Sequence, residues 1–423
     1  MSISSSLAAG VSGLSANAER LASISDNIAN SATYGYKRST TDFHTLVVNG
    51  GAGAKYTAGG ITTSNMRLVD ERGQLQTTSN ATDIAINGRG FLPVRDYTDT
   101  DGGATLGLKT TGSFRPNAQG FLVDATGQVL LGIPANIDGT FPKFARDSSD
   151  ALRPVSVFHN QFAANPTDEM KLALNLPSSD SEPGNIGAQH ELTIEYYGNL
   201  GQTEQLTFGF TSTAANTWQL EVTDLGTAAN VGTFDLSFND LTVGGGTLAS
   251  VTPAADYDAA TGELIMDVNG AEIRVDIGLL NEGGGITQLN STFAPSNISK
   301  NGSTVGNFAG VEVDPKGVIH AIYDSGFTRP IYQVPVVDVA NPNGLTASDS
   351  GTFEVSLQSG NLFMWDAGTG PVGETAGYTR EASTTDVAME LTQLIQTQRA
   401  YSSNAKVIQT VDEMLQETAN LKR

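Results

Sequence analysis

Residues 386–421 read DVAMELTQLIQTQRAYSSNAKVIQTVDEMLQETANL, a stretch that contains neither glycine nor proline. Apolar side chains recur in it every seven residues, with Leu391 and Ala405 between them, at Val387, Leu394, Tyr401, Ile408 and Leu415. This spacing predicts one long helix with a narrow apolar stripe. A second row of seven-residue spacing lies beside the first and consists of Ala400, Val407, Met414 and Leu421.

The N-terminal residues 3–28 carry the same spacing. Leu7, Leu14, Leu21 and Ile28 form the stripe, Val11 and Ala18 lie between them, and Ile24 lies off it. A helix with one apolar stripe is only marginally stable alone, because its stabilisation comes from tertiary packing. We therefore expect the two ends of the chain to pair as an antiparallel coiled coil, forming one helical domain of residues 1–37 and 380–423.

This pair still leaves apolar surface, namely Ile24 and the second row of the C-terminal helix. A helix with two adjacent apolar rows suits contacts with several neighbours, as in a bundle or tube of many chains. Spacing alone leaves open the alternative that the second row packs on the chain's own β domain.

The residues between the ends have the two-residue period and the turn chemistry of an all-β region. Asn87-Gly88 and Asn269-Gly270 each lie between two short β-rich runs and predict two hairpins. Segments rich in Pro and Ser suggest nested β domains of sandwich or barrel-like form. The expected divisions are an extended arm (38–79), an outer framework (80–153 and 293–370), an inserted distal domain (154–292) and a linker (371–379). The fold class is mainly β with α-helical termini.

Composition excludes several classes of function. The 423 residues carry a net charge of −22 and no cysteine, so disulfides, thiolate metal sites and a phosphate-binding surface for nucleic acid are not expected. No apolar run approaches the roughly 18 residues that a membrane span needs, and no cleavable signal peptide is recognised.

The sequence contains no recognisable cluster of catalytic or ligand-binding residues. The four histidines lie in different segments, the Gly50–Lys55 stretch lacks the Ser or Thr of a phosphate-binding loop, and Asp99–Gly102 lacks the flanking carboxylates of a calcium loop. We expect no enzyme activity, metal or cofactor, and we expect Trp218 to lie in the core of the inserted domain.

Both ends also resemble the bacterial flagellar rod and hook family of axial proteins. The N-terminal signature runs from Ser12 to Ala16 and from Asp26 to Lys37, and the C-terminal one from Glu390 to Leu415. Residues 82–91, 112–114 and 117–132 are similar to the same family, and the length with the inserted β domain favours its hook members over its shorter rod members. The signature residues taken from the resemblance are Asn27, Ile28, Ala29, Asn30, Gly35, Lys37, Gln398, Arg399, Ala400, Tyr401 and Asn404.

The resemblance implies a structural subunit that polymerises with itself into a flexible curved tube, which transmits torque from rod to filament. It implies as further partners the distal rod protein, the hook cap protein, the hook–filament junction protein and the flagellar type III export apparatus. The place implied is the extracellular hook, reached without a cleaved signal peptide. The alternatives are another axial protein similar to the distal rod, and an acidic β-rich surface adhesin.

The polymerisation surface is expected on both apolar stripes. Its predicted residues are Leu7, Val11, Leu14, Leu21, Ile24, Ile28, Val387, Leu391, Leu394, Tyr401, Val407, Ile408, Met414 and Leu415. Arg399 is expected to pair with acids such as Glu19 or Asp26 of neighbouring helices.

Overall fold

A computed structural model describes residues 3–46, 59–96, 105–136, 139–158 and 162–420. The glycine-rich Gly50–Lys55 stretch, the acidic Asp99–Gly102 turn, His159 and Leu421 lie outside the described residues. Two long helices occupy the ends of the chain, α1 (Ile3–Ala29) and α2 (Val387–Asn420), as the seven-residue spacing predicts. Asp386 caps α2, because its Oδ1 accepts from the backbone N–H groups of Ala388 and Met389.

Between the helices the described chain is almost entirely β. The first strands are β1 (Ser39–Thr45), β2 (Ile61–Arg67), β3 (Leu75–Thr77), β4 (Asp83–Asn87), β5 (Leu92–Asp96), β6 (Gly107–Lys109), β7 (Thr111–Ser113), β8 (Arg115–Pro116), β9 (Leu122–Val123), β10 (Gln128–Pro134) and β11 (Arg153–Pro154). They are followed by β12 (Phe162–Asn165), β13 (Glu169–Pro177), β14 (Gln189–Tyr197), β15 (Thr203–Ala214), β16 (Thr217–Asp224), β17 (Ala229–Phe238), β18 (Leu248–Thr252), β19 (Tyr257–Asp258), β20 (Glu263–Val268), β21 (Ala271–Asp276) and β22 (Thr287–Leu289). The last strands are β23 (Ala294–Lys300), β24 (Ser303–Val313), β25 (Val318–Tyr323), β26 (Thr328–Gln333), β27 (Val336–Val339), β28 (Thr346–Ser348), β29 (Thr352–Glu354), β30 (Leu362–Trp365), β31 (Glu374–Gly377) and β32 (Thr379–Glu381).

The chain forms two compact units. The first unit comprises residues 1–159, 311–321 and 329–423, and the second comprises residues 160–310 and 322–328. The first unit therefore holds both helices and the flanking β segments, and the second is inserted into it along the chain.

The β part of the first unit is built from short strands. Strands β26, β10, β5, β6, β29 and β28 pair in that order, and smaller sheets form from β31–β4–β7, β27–β30, β3–β32 and β1–β2. Its core contains Phe91, Leu131, Val337, Phe353 and Met364, each at most 2% exposed. Because β31 and β32 immediately precede α2, this β part holds the start of the C-terminal helix.

The hairpin predicted at Asn87-Gly88 does not form. Strand β4 pairs with β31 and β7, whereas β5 pairs with β6 and β10. Gly88 and Gly90 instead let neighbouring segments of the chain pack closely against them. A Cβ on Gly88 would lie 2.8 Å from Cα of Gly373, and one on Gly90 would lie 2.2 Å from Cγ1 of Val336. A tight turn was the wrong interpretation, since partners distant in the chain decide the pairing.

The second unit consists of two sheets around one core. Strands β14–β15–β16–β17–β18 form an antiparallel sheet, and β19–β20–β21–β13–β22 form the other, with β23 also pairing with β13. Side chains of both sheets, among them Leu172, Phe208, Trp218 and Val275, share one apolar cluster. Trp218 is fully buried there, as expected from the sequence.

The hairpin predicted at Asn269-Gly270 is confirmed. Val268 of β20 pairs with Ala271 of β21, and the two turn residues have φ of 54° and 80°. Both central residues of a two-residue type I′ turn need positive φ, which Asn and Gly tolerate best.

We expect Gly270→Ala to destabilise the full chain by about 1 kcal/mol, because an L-residue is strained at positive φ. Nothing lies within 4 Å of the position of its Cβ, so backbone strain is the whole effect. Urea unfolding of the full chain measures it. Gly283→Ala is the control, since that glycine also has open space but no positive φ. Equal stability of the two variants would contradict the strain argument.

Candidate assembly surface of the terminal helices

The two helices of the first unit lie against each other in opposite directions. A Cβ on Gly10 would lie 3.1 Å from Cγ1 of Ile408, and one on Gly13 would lie 2.7 Å from Nδ2 of Asn404. At the other end of the pair, Nδ2 of Asn27 donates to Oε1 of Glu390 at 3.2 Å. Residue numbers therefore rise along α1 in the direction in which they fall along α2, so the two helices are antiparallel.

Small and polar residues form the buried face of α1. Gly10, Gly13, Ala16, Asn17 and Asn27 are buried. The absence of side chains at the two glycines lets α2 approach closely. The spacing of apolar residues did not assign these glycines to the contact, although Gly13 lies in the quoted signature.

The predicted leucine stripe lies beside this buried face. Leu7, Leu14, Leu21 and Ile28 are half-buried, and Val11 is 53% exposed. Ile24 differs from the expectation, because it is 2% exposed within the single chain and so faces its own subunit. The seven-residue spacing gives the repeat of a stripe but not the neighbour that each stripe faces.

The outward side of α2 is rich in large apolar residues. Six of the predicted assembly residues are 40–51% exposed, namely Val387, Leu391, Tyr401, Val407, Met414 and Leu415. Met389 and Ile395 are exposed to a similar degree and were not predicted; Ile395 could have been found, since it lies four residues after Leu391. These eight residues share their exposure rather than a single face of α2, and we name the set the outer apolar row.

Two predicted residues of α2 face the partner helix instead of the solvent. Leu394 and Ile408 are half-buried, and Ile408 is the side chain that contacts Gly10. The second row of seven-residue spacing is not packed on the chain's own β segments within the described residues, because Ala400, Val407 and Met414 are all exposed.

One exposed stripe of α1 carries no charge. Ala8, Val11, Ser15, Ala18 and Ala22 recur there every three or four residues and are exposed. Together with the half-buried leucines they form a second surface onto which another helix could pack. Neither helix carries an apolar segment that is long enough to cross a membrane, within the described residues.

Asn27 is the centre of a buried hydrogen-bond network where α1 ends. Its Oδ1 accepts from the N–H of Ser39 at 2.8 Å and from the hydroxyl of Tyr36 at 3.1 Å, and its Nδ2 donates to Glu390 and to the carbonyl of Ser39. Burial and the hydrogen bond to Asp26 raise the pKa of Tyr36 well above its usual range, so the phenol stays protonated. The network fixes the end of α1 to the start of α2.

Lys37 and Glu381 form a buried ion pair between the two segments that lead to the helices. Nζ of Lys37 lies 2.7 Å from Oε1 of Glu381 and also donates to the carbonyl of Glu71 at 2.6 Å, and the lysine side chain is 0% exposed. Burial lowers the pKa of Lys37, while the carboxylate beside it acts in the opposite direction. The same oxygen accepts from the N–H of Gly73. The junction thus ties residue 37 to residue 381.

Gly35 completes this junction with positive φ. Its φ is 70°, its N–H donates to the carbonyl of Glu381 at 2.8 Å, and a Cβ there would lie 2.9 Å from Cγ2 of Thr111. The N-terminal signature residues Asn27, Gly35 and Lys37 therefore meet at one place, where α1 and α2 leave the β segments.

The other signature residues are more exposed. Asn30 is half-buried and Ala29 is exposed, and on α2 Gln398, Arg399, Ala400 and Tyr401 are exposed while Asn404 packs on Gly13. Among the described residues Arg399 makes no ion pair, and its expected acidic partners are occupied within their own chain. Glu19 accepts from Thr63, and Asp26 accepts from Tyr36.

The residues expected to form an extended arm make a two-stranded ribbon beside α1. Strands β1 and β2 pair antiparallel from Ser39↔Arg67 to Thr45↔Ile61. The ribbon contacts α1 through Ile61, whose N–H donates to Oγ of Ser12 at 3.2 Å, and through Arg20, whose guanidinium lies 5.5 Å from the Phe43 ring centre.

The described residues hold no group of three or more His, Asp or Glu arranged to bind a metal ion. The arrangement offers exposed apolar side chains on two paired helices, which a buried polar junction holds in place.

Comparison with known protein families gives three matches. Residues 7–37 match the family described as "Flagella basal body rod protein", residues 159–303 match "Flagellar basal body protein FlaE D2 domain", and residues 375–421 match "Flagellar basal body rod FlgEFG protein C-terminal".

Individual relatives match over the whole chain. The flagellar hook protein FlgE of Brucella suis biovar 1 (strain 1330) is 32% identical over 430 residues, covering 100% of both chains. That of Escherichia coli (strain K12) is 28% identical, covering 97% of this chain and 98% of its own. The crystal structure of Helicobacter pylori flagellar hook protein FlgE2 has 13% identity and a TM-score of 0.48, covering 73% of this chain and 100% of its own.

Proposed function

Because this chain belongs to the flagellar hook protein family, we propose that it polymerises through its two terminal helices. It is a structural subunit of the bacterial flagellar hook. Its relatives match over their full length and are hook proteins, which favours this function over a distal rod protein or a surface adhesin. The observation that carries the proposal is the outer apolar row of α2, exposed at 40–51% in the single subunit.

The helix pair acts as a coiled coil that builds the inner wall of the tube. The contacts of Gly10 with Ile408 and of Gly13 with Asn404 support this arrangement, as do the seven-residue spacings of both helices. Neighbouring subunits cover the outer apolar row and the uncharged exposed stripe of α1. Each large apolar side chain buried in this way contributes about 1.5–3 kcal/mol, so a few residues per subunit suffice for stable assembly.

The β parts form the outer layers of the tube, and the ribbon of β1 and β2 lies between the layers. In this division the expected outer framework (80–153 and 293–370) corresponds to the β part of the first unit, and the expected inserted domain (154–292) to the second unit, which also takes in residues 293–310 and 322–328. Only 16% of the residues are charged, so neighbouring β domains meet through small polar side chains. Such wet contacts exchange at little energetic cost as a curved tube rotates and passes torque from rod to filament.

The partners at the ends of the tube are the distal rod protein, the hook cap protein and the hook–filament junction protein. The subunit reaches the cell exterior through the flagellar type III export apparatus without a cleaved signal peptide. Two properties support this route: the chain has no cysteine to cross-link, and terminal helices with exposed apolar faces gain most of their stability only on assembly.

Purified full-length subunit is expected to form tubes with rising concentration, seen by electron microscopy. In the dilute monomer, trypsin should cleave α2 at Arg399 and Lys406, both of which are exposed. Within tubes the same two sites should be protected at least about tenfold in rate, because neighbours cover the helix. Cleavage at Lys143, which is exposed on the β part, is the internal reference. Equal cleavage of α2 in monomer and tube would contradict the proposal.

A further inference from the structure

A cleft of about 810 Å³ lies in the first unit beside the end of α1. Its walls come from residues 30, 32–37, 109–113, 123–126, 347, 348 and 350–353, together with Arg67, Arg115 and Arg380. We name it the basic cleft. It is separate from the outer apolar row, since no residue of α2 lines it.

The cleft concentrates positive charge in a chain whose net charge is −22. Five cations line it against one acid, Asp124, which is already paired with Lys109. Lys37 is likewise paired, with Glu381. Among the described residues the three arginines that line the cleft, Arg67, Arg115 and Arg380, make no ion pair.

Asp83, whose carboxylate interacts with the charge of Arg380, already accepts hydrogen bonds from other side chains. Burial alone would raise the pKa of Asp83, but hydrogen bonds from Ser113 and Asn80, with a smaller contribution from the Arg380 charge, lower it. Nε of Arg380 is buried without a hydrogen-bond partner. The Nε–H donor of Arg380 is therefore unused in the single subunit.

Aromatic rings hold two of the guanidinium groups in place. Arg380 lies 3.9 Å above the ring centre of Tyr34, and Arg67 lies 5.4 Å from that of Tyr36. A guanidinium packed on a ring keeps its N–H donors directed sideways, where they can bind a planar carboxylate with two parallel hydrogen bonds.

Two buried hydroxyl groups among the lining residues also lack partners. Thr110 and Thr352 are 3% and 5% exposed, and Oγ1 of each makes no hydrogen bond. Both oxygens are shielded from solvent, so they add no accessible donor to the cleft, and its arginines are what a ligand would meet. The arginines without ion pairs favour a ligand that accepts hydrogen bonds and carries negative charge.

We propose that the basic cleft binds an acidic segment of a neighbouring copy of this chain in the polymer. The inference rests on the proposed polymerisation, because the occupant is a second subunit. Charge complementarity identifies it: Asp and Glu outnumber Lys and Arg by 45 to 23, so every neighbour offers carboxylates. A cleft on one subunit that receives a different surface of the next makes a head-to-tail contact, which propagates without closing.

Charge reversal tests the cleft. We expect Arg67→Glu with Arg115→Glu to raise the subunit concentration needed for tubes about tenfold at low salt. For the wild type we expect this concentration to rise between about 50 and 500 mM NaCl, and for the variant we expect no such rise. The matched control is Lys143→Glu with Lys316→Glu, two exposed cations outside the cleft, which changes the net charge equally. Circular dichroism confirms folding of both. If the two variants raise the subunit concentration needed for tubes by the same factor, the proposal is overturned.

The outcome is distinguishable from failure of the proposed function. If the helices do not drive polymerisation, substitutions in the outer apolar row leave tube formation intact at every salt concentration. If only the cleft proposal fails, those substitutions still abolish tubes, while the cleft variant behaves as its control does.

A cross-link identifies the occupant. Because the chain contains no cysteine, Ser348→Cys, at an exposed position lining the cleft, can carry a single benzophenone label. In tubes we expect cross-linked dimers whose joined peptide from the second copy contains Asp or Glu. Cross-links confined to one chain, or to peptides without acids, overturn the proposal. Inorganic phosphate provides a further test. If phosphate removes the cross-link while the tubes persist unchanged, the cleft binds small anions and the proposal is overturned.

Discussion

Replacing both Val407 and Met414 with Asp should abolish tube formation by the full chain while leaving the subunit folded. Both side chains belong to the outer apolar row and are 45% and 51% exposed, so the single subunit depends on them less than on the half-buried Ile408. Loss of two buried apolar contacts removes about 3–6 kcal/mol per subunit, which raises the concentration needed for assembly by about 10²- to 10⁴-fold. Sedimentation and electron microscopy measure this concentration.

The matched control is Ser402→Asp with Gln409→Asp, which adds the same charge at exposed polar positions of the same helix. We expect the control to form tubes with less than a tenfold change in concentration. Substituting Leu394 and Ile408 would be less informative, because both are half-buried, and a Cβ on Gly10 would lie 3.1 Å from Ile408 but 3.9 Å from Val407. Tubes formed by the Val407 and Met414 variant at wild-type concentration would refute the helix proposal.

Lys37→Met should destabilise the first unit by about 3–5 kcal/mol. The substitution removes the ammonium group and leaves the Glu381 carboxylate, whose side chain is 3% exposed, buried without its partner. The hydrogen bond to the carbonyl of Glu71 is lost as well. Urea unfolding of the full-length subunit at neutral pH, followed by far-ultraviolet circular dichroism, measures the loss.

The double variant Lys37→Met with Glu381→Gln separates the charge effect from the packing effect. The amide oxygen introduced at position 381 can still accept from the N–H of Gly73, but no buried charge remains. We expect it to recover at least half of the lost stability, because replacing both partners of a buried pair is often close to neutral. A single variant that loses less than about 1 kcal/mol would show that the ion pair is not needed for stability.

Periodicity was sufficient for the elements that depend on local sequence. The two terminal helices and the hairpin at Asn269-Gly270 follow from side-chain spacing and turn chemistry within a few residues. The hairpin expected at Asn87-Gly88 failed because β4 finds its partners at β31 and β7. A local turn signal cannot show that a distant strand pairs more favourably.

The candidate site was predicted only in part for a similar reason. Seven-residue spacing located the apolar rows, but not which row faces the partner helix and which faces outward. The closest helix contacts lie at Gly10 and Gly13, residues that carry no apolar side chain to count. The Lys37–Glu381 pair joins residues far apart in the chain, so no pattern in either segment could reveal it.

Two contacts set the register of the helix pair, one near its middle and one where α1 ends. Asn404 packs on Gly13, and Asn27 donates to Glu390. Fourteen residues separate Gly13 from Asn27 in α1, and fourteen separate Glu390 from Asn404 in α2. Sliding one helix by a turn would leave buried amide and carboxylate groups facing apolar neighbours, so each helix pair keeps a constant length. When a tube of such pairs curves, its convex wall lengthens and its concave wall shortens, and this difference has to be accommodated in the spaces from one subunit to the next.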